Sequence, residues 1–220
     1  MSSAPDRDAA VEDLPVAGTA VILRDAAEGM EVLLLRRPDR GSFAGAWVFP
    51  GGMIEQGDRI PGADELEDAC RAAVRETAEE VGLELERLVP LSCWVPPPGI
   101  PKRVRTWFFL AADPGGVIRP AVDEVVETRW LAPEAALTAR DAGEIALMPP
   151  TWRTLHALRG ATGMEEALTR VQDPAVFRTR MQATAAGTLF FWDGDELAGA
   201  ATGARERLVA EDPVWRFENP

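Results

Sequence analysis

Three glutamates fall within five positions in the stretch RETAEEVGL, residues 75–83: Glu76, Glu79 and Glu80, with Arg75 in front and Gly82 near the end. Successive residues of a helix rotate by about 100°, so positions i, i+3 and i+4 share one face. Carboxylates crowded there repel one another, and at least one pKa rises unless a cation sits among them. Such oxygens suit hard divalent ions, Mg²⁺ or Mn²⁺, which keep part of their water shell. The same spacing also describes a solvated helix face, with Arg75 and Glu79 as an ordinary i, i+4 pair.

Composition narrows the chemistry. His156 is the only histidine, and Cys70 and Cys93 are the only cysteines. That leaves no histidine-rich zinc site and no disulfide framework, and both cysteines read as packing residues of a reducing compartment. Catalysis then falls to carboxylates, Lys, Arg or a metal they hold. The 220-residue chain has 36 acidic and 23 basic residues, a net charge of -13 that opposes nucleic acid or an anionic membrane as partner. Basic clusters at Arg36, Arg37 and Arg40, and at Lys102, Arg103 and Arg105, still suit a small anionic substrate. No apolar run is long enough to cross a bilayer, and the opening MSSAPDRDAAVEDLP has no signal-peptide pattern. Cytoplasmic placement and a mobile tail over residues 1–14 are expected.

The elements that must position the acids are legible from period and punctuation. VAGTAVILRD and EVLLLRRP, separated by the glycine turn signal in AAEGM, read as adjacent strands. AWVFPGG is a short strand that stops at Pro50, Gly51 and Gly52. From Leu66 to Val81 the period becomes helical, with Leu66, Ala69, Cys70, Ala73, Thr77 and Val81 on one side and Gly82 as a C-terminal cap. RLVPLSCWV and RVRTWFFLAAD are further strands about a proline-rich hinge, and EVVETRWLAP supplies another. Helices follow from Pro133, within PPTWRTLHALRG and at EEALTRV. GTLFFWDGDEL reads as a hairpin turning at Asp193-Gly194.

A strand ending in FPGG, then a loop, then this acidic helix resembles the Nudix hydrolases, whose box reads G-x5-E-x7-R-E-U-x-E-E-x-G-U, U being a bulky aliphatic residue. RETAEEVGL matches the second half except for Thr77 at a U position. With Gly52 as the box glycine, Asp58 stands for the first Glu, and 16 residues instead of seven separate it from Arg75, nine extra. The resemblance implies an α/β (α+β) Nudix fold, a mixed β-sheet sandwiched between helices over residues 15–170. A short helical and hairpin extension over 171–220 would pack on it. It further implies metal-dependent hydrolysis of a nucleoside diphosphate linked to a second group X. On that basis Glu76, Glu79 and Glu80 are metal-site carboxylates, the Gly52 carbonyl is an extra ligand, and Arg75 orients the glutamates. Glu76 is one candidate for the general base; Glu124 is preferred over Glu127 as a further acid from beyond the helix. Intact carboxylates weigh against a Nudix-fold module that only binds.

The run LLLRRPDRGSFAGAWVFPGG and the enlarged box loop further resemble a subgroup related to peroxisomal coenzyme A diphosphatases. Arg40, Gly45 and FPGG are similar to the R-x3-G-x3-F-P-G-G core of the coenzyme A signature, although four residues separate Arg40 from Gly45. Coenzyme A or its thioesters are therefore the expected substrate, with ADP-ribose, a nucleotide sugar or a dinucleotide as the alternative. Arg40, Lys102 and Arg103 are expected to meet phosphates. Trp94 and Trp107 fit either adenine stacking or the core, and His156 fits a surface or packing role. The family resemblance also makes a homodimer reasonable.

Overall fold

A computed structural model describes residues 10–219, apart from Ser42 and Gln172. The axis of the fold is β1 (Val16–Ala26), an apolar run buried on both faces for most of its length. It turns at residues 27–28 into antiparallel β2 (Gly29–Arg36). β3 (Ala46–Val48) pairs with β2, and β4 (Gly51–Met53) pairs with β1. The glycines expected to stop a strand thus make a strand of their own: a Cβ on Gly51 would collide with Gly18 and Thr19 of β1, and one on Gly52 with the Glu76 carboxylate. The acidic helix is α1 (Glu65–Val81).

β5 (Leu88–Val95) and β6 (Arg105–Ala112) flank the proline-rich hinge as an antiparallel pair, and β6 runs parallel to β1. β7 (Glu127–Leu131) lies on β2 and leads into α2 (Pro133–Asp141), β8 (Ala146–Leu147), α3 (Pro149–Leu158) and α4 (Met164–Thr169). β9 (Ala175–Arg178) then joins the outer edge of β5, completing a nine-stranded mixed sheet ordered β8-β3-β2-β1-β6-β5-β9, with β4 and β7 off this path. Period-2 alternation divides the core. Ala20, Ile22, Leu33 and Leu35 pack with Ala69, Ala73 and Val81 of α1, while Val21, Leu23, Val32 and Leu34 pack with Ala136, Trp152 and Leu155 of α2 and α3. A sheet sandwiched between helices is the expected architecture.

The C-terminal part departs from a single hairpin. β10 (Arg180–Ala183), β11 (Gly187–Phe191), β12 (Arg207–Glu211) and β13 (Arg216–Glu218) form a four-stranded antiparallel sheet. β11 does turn back onto β12, but through residues 192–206 rather than at Asp193-Gly194. The reason is Asp195, which is fully buried and accepts from the Leu197 and Glu206 amides and from Arg207 Nε and Nη2, drawing the chain inward. Trp192 bolts this sheet to the body through edge-on contacts with Trp94 and Phe177.

Residues 1–9 of the expected tail lie outside the described residues; Val11–Asp13 form a 3-10 turn and Leu14 is buried. Among the described residues no helix is long and apolar enough to cross a membrane. Both cysteines are free, and burial pushes the Cys93 thiol up to about 11, which keeps it inert.

Candidate active site

α1 starts with a reciprocal cap: the Glu67 amide donates to Asp64 Oδ1 at 2.9 Å and the Asp64 amide to Glu67 Oε2 at 3.0 Å. It ends at Gly82, in the left-handed region at φ 71°. An added Cβ on Gly18 would fall 1.8 Å from the Ala69 carbonyl oxygen, so the glycine lets α1 lie directly on β1. Thr77 fits the position where an aliphatic residue is usual because its Oγ1 donates to the Ala73 carbonyl at 2.7 Å, leaving the side chain satisfied in the core.

Along the edge of the helix that meets β4, one group of acids comes together among the described residues. Glu76, Glu80 and Glu124 each offer an oxygen, and these oxygens all lie within 4.8 Å of one another. Glu80 is only 1% exposed; its Oε2 accepts from the Gly51 amide at 2.9 Å and its Oε1 from Arg37 Nη1. Burial pushes its carboxyl up to about 7 against those two partners, with Glu76 and Glu124 adding to the rise. Burial also lifts Glu76, opposed by Arg75 and assisted by Glu79 and Glu124. Glu76 packs against Gly52 so closely that a Cβ there would lie 2.2 Å from its Oε1. Glu124 arrives from a segment docked on the end of α1: the Arg119 amide donates to the Val81 carbonyl at 2.8 Å and the Ala121 amide to Glu80's at 2.9 Å.

Arg75 organises the rest. It donates to both oxygens of Asp58, to Glu76 Oε1 and Glu79 Oε2 at 3.0 Å each, and to the Met53 carbonyl. Glu79 has a side chain 59% exposed and lies outside the group formed by the other three acids. Asp58 belongs to a 3-10 turn, residues 56–58, in the enlarged loop; the Glu55 amide donates to its Oδ2 at 2.8 Å. Burial raises its pKa, but Arg75 and the Glu55 amide outweigh that and hold it below the ordinary carboxylate range. Arg37 and Asp58 are thus partners of the acids that sequence reasoning did not assign. The Asp58 position in the box was the available signal.

Arg40 Nη2 donates to the Asp123 carbonyl at 3.4 Å, beside Glu124. Lys102 and Arg103 sit in the β5–β6 connection, at the end of the sheet where Arg105 bonds Glu65 in the first turn of α1. Glu76 and Glu80 lie about three and about four turns further along that helix. Glu127 faces elsewhere and accepts from Arg129 Nε at 2.6 Å. Trp94 is a core residue whose Nε1 donates to Ser92 Oγ, and Trp107 Nε1 donates to Glu65 Oε1. His156 stacks on Trp152 at 5.0 Å, and burial, with Arg159 and Arg153 nearby, lowers its pKa to about 4.

The family model described as NUDIX domain matches residues 14–149. The chain belongs to the Nudix family. Among solved structures, it is similar to a Nudix hydrolase from Alicyclobacillus acidocaldarius, with 25% identity and a TM-score of 0.64 over 71% of this chain and 96% of that one. It is also similar to a MutT Nudix hydrolase from Burkholderia pseudomallei, at 25% identity and a TM-score of 0.51 over 66% of this chain and 97% of that one. The Nudix domain of Shewanella oneidensis NrtR, solved with ADP ribose, shares the fold at 18% identity, with a TM-score of 0.51 over 72% of this chain and 89% of that one. Membership and the two Nudix hydrolase relatives at 25% identity make the protein a Nudix hydrolase, acting on pyrophosphate bonds. Nudix hydrolases generally use divalent metal, and among the described residues the clustered carboxylates have donors that fit one.

Proposed function

We propose that this Nudix hydrolase cleaves a nucleoside diphosphate linked to a second group, with coenzyme A or acyl-coenzyme A as the leading substrate and Mg²⁺ or Mn²⁺ as the cofactor. The observation that carries the site is the convergence of Glu76, Glu80 and Glu124 within 4.8 Å. An all-carboxylate donor set fits hard cations. Burial raises the pKa of both Glu76 and Glu80, and repulsion from the neighbouring acids adds to the rise, a cost that a bound cation would offset.

A metal bound there would neutralise pyrophosphate oxygens and lower the pKa of an attacking water. The chain's own residues do the remainder. Arg37 and the Gly51 amide fix Glu80 in one orientation, and Arg75 does the same for Glu76. Glu79, one turn from Glu76 and held by Arg75, completes the acidic set, and the Gly52 carbonyl is the candidate backbone ligand. Glu124, the exposed member, is the preferred acceptor of the water's proton, with Glu76 as the alternative. Arg40 would meet a substrate phosphate, a reading supported by its guanidinium reaching the residue before Glu124. Lys102 and Arg103 would meet only a more distant phosphate of an extended substrate.

Coenzyme A is favoured by the Arg40–Gly45–FPGG pattern and by the enlarged box loop. The test is a product-resolved panel of coenzyme A, acyl-coenzyme A, ADP-ribose, NADH and diadenosine polyphosphates with each metal. Release of 3′,5′-ADP and phosphopantetheine supports the reading. Cleavage of ADP-ribose alone rejects coenzyme A, and cleavage of none of the panel rejects the whole proposal.

A further inference from the structure

A cleft of about 800 Å³ opens between the main sheet and the C-terminal sheet. Arg36, Trp47 and Arg129, from β2, β3 and β7, line one side, and Asp212, Pro213 and Trp215, from the β12–β13 connection, line the other. The cleft adjoins the carboxylates around the end of β2. Arg36 lines it while the next residue, Arg37, holds Glu80. The loop after β2 spans both places: its Gly45 lines the cleft and its Arg40 touches Asp123.

The Asp212–Trp215 wall follows the residues matched by the family model, which end at 149. It is held by Arg140 of α2, itself 8% exposed. This guanidinium donates to Asp212 Oδ1 at 2.6 Å, to the Pro213 carbonyl at 2.7 Å and to Asp141 Oδ1 at 3.2 Å, and lies 3.9 Å from the Trp215 ring centre. Desolvating an arginine is costly unless its donors are matched, and here three acceptors and an indole face match them. The result is a fixed tryptophan at the lip of a cleft rather than a loose terminal loop.

The charges indicate what the cleft would take. Its cations are already paired: Arg36 with Asp39, Arg129 with Glu127, and Arg140 with Asp141 and Asp212. That arrangement is poor for a bare phosphate. Two indoles that line the cleft, each taking a guanidinium on one face and Trp215 also tilted against Trp152, and acid side chains that can only accept suit a flat heterocycle bearing amino donors, and the volume is that of a small-molecule site. We propose that the Asp212–Trp215 wall is a specificity element: Trp215, positioned by Arg140 and Asp212, contacts the base-bearing end of the substrate and sets which nucleotide the enzyme accepts. This rests on the pyrophosphohydrolase reading above.

The test compares the full-length wild type with Trp215→Ala, Trp215→Phe and Asp212→Ala, the last altering a side chain that is 87% exposed. Calorimetric binding of AMP and of 3′,5′-ADP is measured beside kcat and KM on the substrate panel. Loss of an aromatic platform under a base should weaken nucleotide binding about tenfold or more in Trp215→Ala. Trp215→Phe should recover most of it, and Asp212→Ala should show a smaller loss. The change should fall on KM more than on kcat and should alter the order of preferred substrates. Unchanged affinity and unchanged substrate order in both alanine variants overturn the inference while leaving the proposed function standing, as does a wild type that binds neither nucleotide. Nucleotide binding that depends on Trp215, in a protein that hydrolyses nothing, would refute the function and keep the wall.

Discussion

Arg75 grips Asp58 through two parallel hydrogen bonds, Nε to Oδ1 at 3.1 Å and Nη2 to Oδ2 at 3.0 Å. The pair ties the enlarged loop to the acidic helix, and the same guanidinium then steadies Glu76. A planar fork suits this work in a way that an ammonium does not. Asp58→Asn keeps the shape but removes the charge, so we expect a loss of about 2 kcal/mol in urea unfolding and about a tenfold fall in kcat. Wild-type values for both would show that the pair does not position the site.

Gly52→Ala probes Glu76 without touching any acid. The backbone there is ordinary β-strand paired with Gly18, so alanine is tolerated conformationally, but its methyl would occupy the place of the Glu76 carboxylate. A displacement of about 1 Å at reacting groups costs about a hundredfold. Turnover should fall by that order while far-UV circular dichroism stays native; near-normal turnover would remove Glu76 from the chemistry.

Metal binding should be visible without catalysis. Mg²⁺ or Mn²⁺ should raise the melting temperature of the wild type by mass action. Glu76→Gln and Glu80→Gln should each abolish most of that rise and lower turnover by about two orders of magnitude or more. An undiminished metal-induced rise in both variants would place the ion elsewhere.

The Glu80 carboxyl sets a pH signature. Its folded value of about 7 exceeds the ordinary 4.5, so the metal-free folded state holds an extra proton between those values. The associated stability is fully present below pH 4.5 and is lost as pH rises through 7. Chelator-treated wild type should therefore lose more melting temperature from pH 5 to pH 8 than Glu80→Gln does. His156, lowered to about 4 from 6.5, acts in the opposite sense but is common to both proteins and cancels. Identical pH slopes would reject the assignment.

The helix bearing the acids was legible because its signals are local. Apolar spacing from Leu66 to Val81 and the cap at Gly82 differ from the observed start by one residue, Glu65. The partners of those acids were not legible, because they are tertiary. Arg37 reaches Glu80 across 43 positions, and the Ala121 amide meets the Glu80 carbonyl only after the intervening strands have folded. Neither contact leaves a periodic trace. Trp94 and Trp107 were ambiguous for a related reason: an indole in a strand reads the same whether its N–H finds Ser92, Glu65 or a ligand. At the C-terminus, Asp193-Gly194 has the composition of a tight turn. The buried Asp195 beside it overrides that preference with bonds to Glu206 and Arg207, which lie far along the chain.

β9 lies along the outer edge of β5, from Ser92 opposite Ala175 to Val95 opposite Arg178. Cys93, Trp94 and Val95 are buried, so without β9 this edge would be a row of unpaired amides and carbonyls beside apolar side chains. A chain cut after α4 would present that row to its own copies. The C-terminal segment therefore covers a sticky edge as well as lining a cleft, and its removal should increase edge-to-edge association, seen as a rise in scattered light.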